Sequence, residues 1–324
     1  MASVVPAQTY HVSQRWKIGG EGGWDYVTSD DSAHRLYLPH NSRVEVVDTT
    51  TGKTIGAITG MKRTHGVALP PDGSVGYISD GGSNAIVVFD RTNFSIKTTV
   101  PAGTGPDSIA YEPVSKTVWA FNGRSSNISI LDTNTNRIVA TVPLPGRPEF
   151  SQVDGRGSVF LNIEDKNQIM KFDGPTRSPI ATWPLPGCES PSGLAIDRDK
   201  HRLFAVCENH KMAVVDDDNG KVLGLADIGE GPDAAGYDPK SRLAFSSNGA
   251  DGTLTVIDTD KPSFPVLQNV KTKQGARTMA VDAATGRIYL VTADYGPAPE
   301  STQATPRPRR PVIPDTFEVL VVEK

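Results

Sequence analysis

Cysteine is nearly missing from this 324-residue chain, which has only Cys188 and Cys207. Two thiols cannot make a disulfide scaffold or a complete thiolate metal site. Long apolar runs are also missing. No stretch approaches the roughly 20 apolar residues that cross a bilayer, so no membrane span is expected. Charge of one sign is scarce too: net charge is −4, and the one basic run is Arg307 to Arg310. That excludes a general nucleic-acid or anionic-membrane surface. The start, MASVVPAQ, lacks the positive and apolar regions of a secretory signal. There is no G-x-S-x-G, H-E-x-x-H, P-loop or C-x-x-C-H motif. No nucleotide, flavin or covalent haem is therefore expected. The glycine-rich pieces GGEGG and DGGSN lie between strand-like runs and read as turns.

What is abundant is turn chemistry, with 31 glycines and 25 prolines. An aspartate closes an alternating apolar run again and again: VEVVD (Asp48), AIVVFD (Asp90), ISILD (Asp132), IMKFD (Asp173), MAVVD (Asp216) and LTVID (Asp258). EVLVVE (Glu323) is the seventh copy. The intervals are 42, 42, 41, 43, 42 and 65 residues. A period near 42 with two-residue alternation fits a four-stranded propeller blade and argues against a helical solenoid. The fold class is all-β: one seven-bladed β-propeller of antiparallel blades. The last unit lacks a fourth strand, and Tyr10 to Ile18 can supply it, which removes open sheet edges. The long last interval holds a proline-rich insertion, about residues 294–316. It reads either as a surface excursion or as a lid over the channel mouth.

The segment Asn127 to Val142, NISILDTNTNRIVATV, resembles the YVTN-type repeat of YncE-like bacterial propellers. The naming tetrapeptide is degenerate here, as Tyr77–Asp80, Trp119–Asn122 and Phe245–Asn248. The resemblance covers nearly the whole chain. It implies a seven-bladed propeller that is periplasmic or secreted, but no particular activity. Similar propellers include sugar lactonases and a streptogramin lyase, and no catalytic residue carries over from them.

Aligning the units places one residue per blade at the start of the innermost strand: Asp25, His65, Asp107, Glu149, Ser192, Asp233 and Arg277. Such a varied row at one equivalent position suggests a binding constellation at the channel mouth. Converging carboxylates need a cation, a proton or an arginine beside them. His65, Asp107, Glu149 and Arg277 are the candidate catalytic groups. Asp25, His65, Asp107, Asp233 and His40 could hold a divalent metal, with calcium, magnesium, manganese or zinc as candidates. Trp24, Tyr26, Ser192, Asn122 and Asn248 are candidate contacts to a small-molecule substrate. The competing reading is structural, since acids at strand starts also cap turns. A second row, at the end of the next strand, reads His40, Asp80, Asn122, Ile163, Cys207, Asn248 and Thr292.

Cys188 and Cys207 flank the first two strands of the fifth blade. They could form a disulfide or stay as two buried thiols, or Cys207 could serve as a metal ligand. The expected function is metal-assisted hydrolysis or elimination on a small molecule. The alternative is a non-catalytic extracytoplasmic propeller that binds a ligand, metal or protein. Ring closure makes a monomer the expected state.

Overall fold

Seven four-stranded sheets account for all 28 strands in the computed structural model, which describes residues 9–71, 73–300 and 310–324. The third blade shows the pattern. It runs Pro106–Glu112, Thr117–Asn122, Asn127–Asp132 and Arg137–Pro143, in that spatial order from the channel outward. Its second strand is buried throughout, because it packs against a neighbour on both faces, whereas the outermost strand alternates between exposed and half-buried. A single 3-10 turn, Glu164–Lys166, is the only helix among the described residues. No helix is long and apolar enough to cross a membrane.

The repeated aspartate has a local cause. Asp48 Oδ1 accepts hydrogen bonds from the backbone N–H groups of Thr50 and Thr51 and from the Thr51 hydroxyl. Asp90, Asp132 and Asp216 bond in the same way to the second and third residues after them. Each one builds the turn between the third and fourth strands of its blade. Gly220 occupies one of these turns at φ +76°, where a Cβ would lie 2.0 Å from Trp183 Cγ, so both conformation and space require glycine.

The ring closes through its ends. Strand His11–Lys17 pairs antiparallel with Glu318–Glu323 and completes the blade formed with Ile288–Thr292 and Thr278–Val281. Tyr10 ties this outer strand to the sixth blade. It exchanges backbone hydrogen bonds with the Gln268 side chain and packs edge-on against Phe245 at 5.4 Å. The last-blade insertion folds back on itself through the Tyr295–Val312 bridge and the bond from Ile313 N to Asp294 O. Its residues 301–309 lie outside the described residues, as does most of the Arg307 to Arg310 run. Cys188 and Cys207 form a disulfide, with Cα atoms 5.3 Å apart. That resolves the choice left open by the sequence.

Candidate functional site

Five of the seven residues chosen from the repeat sit on β-bulges. In blades 2 to 6 the pairing between the first two strands slips between Thr64 and Val67, Pro106 and Ile109, Pro148 and Ser151, Pro191 and Leu194, and Pro232 and Ala234. His65, Asp107, Glu149, Ser192 and Asp233 fall inside these slips. A bulge leaves residues out of the ladder and re-aims a side chain. Here it frees His65, Asp107 and Glu149 to face a cavity of about 730 Å³ at the channel mouth.

Three of these residues meet. His65 Nδ1 lies 2.6 Å from Asp25 Oδ2 and 3.1 Å from Asp107 Oδ1. One imidazole thus bridges carboxylates from the blades on either side. Burial pulls the His65 pKa down, but hydrogen bonds and charge from Asp107 and Asp25 outweigh it and raise the pKa to about 9. Burial raises Asp25, partly offset by the bond to His65. Gly81 makes room for the ring, since a Cβ there would lie 2.7 Å from His65 Nε2.

Arg277 is already engaged. It forms an ion pair with Asp233 and donates from Nη2 to the Trp24 carbonyl at 2.9 Å. It therefore closes the ring between blades 6, 7 and 1, with its charge matched by Asp233. Glu149 lies 3.8 Å from Arg147 Nε, while Arg147 pairs more closely with Glu164. Burial, the Asp107 charge and the neighbouring Glu164 push the Glu149 pKa up to about 9. This acid keeps its proton at neutral pH.

Tyr26 is the floor. It borders both the mouth cavity and a second cavity of about 460 Å³ further along the channel. Its ring meets Phe150 edge-on at 4.9 Å. Burial and the charges of Asp107, Glu149, Asp25 and Asp233 raise its pKa well above the ordinary phenol value. Trp24 forms part of the cavity wall and stacks on Phe317 at 5.5 Å.

The remaining candidates lie elsewhere. Asn122 and Asn248 are fully buried and bond inside their own blades. Asn122 Nδ2 donates to Asn127 Oδ1 and Ser129 Oγ, and Asn248 Nδ2 donates to Thr253 and Thr255 Oγ1. Neither borders the cavity, and neither does Ser192, whose hydroxyl donates to the Pro232 carbonyl. The register explains this. Second-row residues pair with the residue before the bulge, as in Pro106 with Asn122 and Pro232 with Asn248, which sets them one step behind the channel wall. His40 pairs with Trp24 in the same way, is 1% exposed and stacks on Phe317 at 4.2 Å. Burial, with help from Arg43, lowers its pKa to about 4. Asp25, His65 and Asp107 each offer a ligand atom within 4.8 Å of the others, a group that includes neither His40 nor Asp233.

Alignment of the repeats overlooked Arg63, Gln274, Tyr295, Arg310 and Val312, which also border the cavity. Arg63 had a usable signal, because it stands two residues before His65 in the loop leading into the inner strand. Tyr295, Arg310 and Val312 come from the insertion, which has no counterpart in the other blades.

No family model matches the chain, and no curated protein matches it. Among solved structures it is similar to hydrazine synthase of Kuenenia stuttgartiensis, with TM-score 0.75 and 16% identity over 83% of this chain and 92% of that one. It is also similar to U3-55K, with TM-score 0.78 and 8% identity over 96% and 99% of the two chains. The WD40 repeats of RRP9 match with TM-score 0.79 and 8% identity over 98% and 99%. At such identities the likeness speaks for the fold alone, a seven-bladed propeller.

Proposed function

We propose that the channel mouth is an enzyme active site that acts on a small organic molecule by hydrolysis or elimination. The observation that carries this reading is the Asp25–His65–Asp107 group, set on the wall of a cavity that also holds the protonated Glu149. Titratable groups shifted far from their ordinary pKa values in one concave site are the ordinary material of acid–base catalysis. Asp25, His65 and Asp107 would hold a divalent cation, such as calcium, magnesium, manganese or zinc. The donor set fits such an ion, provided the proton on His65 gives way to it. When bound, the ion polarises a carbonyl or acidifies a water. Glu149 supplies a proton to a leaving oxygen. Tyr26 ends the pocket and keeps the substrate at the level of the bulges. Arg277, matched by Asp233, fixes the position of Trp24 and the first blade.

The repeat NISILDTNTNRIVATV and the Cys188–Cys207 bridge support placing the chain among YncE-like propellers of an oxidising, extracytoplasmic compartment. A second reading, binding without turnover, draws support from the floor itself. Its charges already close on one another, His65 with two carboxylates and Arg277 with Asp233.

The test combines metal analysis of the purified protein with a thermal-shift scan of divalent ions after chelation. A panel of lactones and unsaturated acids is then assayed. We expect an ion-dependent stabilisation that is lost in Asp107→Asn, and turnover at least about a hundredfold lower in His65→Ala and Asp107→Asn. Absence of any ion effect would remove the metal. Turnover unchanged in both variants would remove the catalytic reading.

A further inference from the structure

Among the described residues, the carboxyl, imidazole and guanidinium groups around the mouth cavity each contact a group of opposite type, with two exceptions. His65 lies between Asp25 and Asp107, Arg277 lies on Asp233, and Arg147 serves Glu164 and Glu149. Arg63 and Arg310 border the same cavity and face no carboxylate among the described residues.

The Arg310 side chain is nevertheless held in place, and so is the backbone that presents Arg63. Asp80, buried at the end of its strand, accepts hydrogen bonds from the backbone N–H groups of Lys62 and Arg63 and so fixes the loop that presents Arg63. Arg310 donates from Nε to the Gly296 carbonyl at 2.8 Å, from Nη2 to the Tyr295 carbonyl at 3.1 Å and from Nη1 to Gln274 Oε1 at 3.1 Å. Its guanidinium lies 5.6 Å from the centre of the Tyr295 ring. These contacts orient the guanidinium and leave its charge unmatched. A preorganised guanidinium loses little entropy on binding, and its planar fork matches a carboxylate. Arg63 belongs to the entry loop of blade 2 and Arg310 to the insertion of blade 7, so the two flank blade 1, whose Gly23 and Trp24 border the cavity between them.

We infer that Arg63 and Arg310 form an anion clamp at the rim, and that the ligand of this cavity is a small organic acid held by its carboxylate groups. The inference rests on reading the mouth as a small-molecule site. It gives the insertion a definite role, to carry one half of the clamp.

The test is isothermal titration of the full-length protein with succinate, citrate, inorganic phosphate and neutral succinamide at constant ionic strength. Succinate or citrate should bind, and succinamide should not. Arg63→Gln and Arg310→Gln should each weaken carboxylate binding about tenfold, with unfolding midpoints unchanged. Turnover of the acids and of the lactone panel is assayed separately on the same wild-type protein, which tests the catalytic reading independently of binding. Four outcomes overturn the clamp: no heat with either acid, equal binding of succinamide, phosphate binding tighter than both acids, or affinity unchanged in both arginine variants. A protein that binds the acids through these arginines but turns nothing over refutes the enzyme and leaves the clamp intact.

Discussion

Replacing Glu149 with glutamine isolates the proton that the cavity forces this side chain to keep. Burial, Asp107 and Glu164 raise its pKa from 4.5 to about 9. In the unfolded chain the group ionises near its ordinary value. Between about pH 4.5 and 9 the folded protein therefore binds one proton more than the unfolded chain, and stability falls as pH rises. The slope is at most about 1.4 kcal/mol per pH unit for one proton. From pH 6 to 8 the wild type should lose up to about 3 kcal/mol through Glu149. Glutamine keeps the shape of the protonated acid and escapes this cost. His65 adds a slope of the same sign, because its folded pKa of about 9 lies above the ordinary 6.5. Its stabilisation is complete below about pH 6.5 and is lost as pH climbs through 9. That slope is present in both proteins and largely cancels in the comparison. The assay is urea denaturation of wild type and Glu149→Gln in chelator-containing buffer at pH 6, 7 and 8. By the same slope the variant should already be about 2 kcal/mol more stable at pH 6, and the gap should widen by up to about 3 kcal/mol at pH 8. Parallel stability–pH curves would refute the claim that Glu149 is held protonated.

Two further predictions concern the scaffold. The double variant Cys188→Ala/Cys207→Ala should lose about 3 kcal/mol in urea denaturation, since the bridge closes a loop with a sequence separation of 19; stability equal to wild type would refute this. Gly193→Ala would place a Cβ 2.6 Å from the Ala234 Cα and the Asp233 carbonyl on the next blade. We expect a loss of about 1–3 kcal/mol, because backbone there cannot yield as a side chain can. An unfolding midpoint equal to wild type would show that adjacent inner strands approach less closely than described.

Much of this architecture could be read along the chain, because its causes are local. The aspartate of each Asx turn recurs at blade spacing, the apolar runs alternate with period two, and the strand at His11–Lys17 had an obvious vacancy to fill beside Glu318–Glu323. The same regularity brought Asp25, His65, Asp107, Glu149 and Arg277 to one cavity wall. Which of them would touch was another matter. The strand register, with its bulges in blades 2 to 6, put His65 between two carboxylates and Asn122 and Asn248 behind the wall, while Arg277 met Asp233 and His40 paired behind Trp24. Arg310 reaches the rim only through the fold of an insertion that no repeat describes. Turn and strand chemistry acts over a few residues and repeats, so sequence alone determined the ring. Side-chain pairing depends on ångström offsets between blades some 40 residues apart or at opposite ends of the chain, and only the tertiary structure decided it.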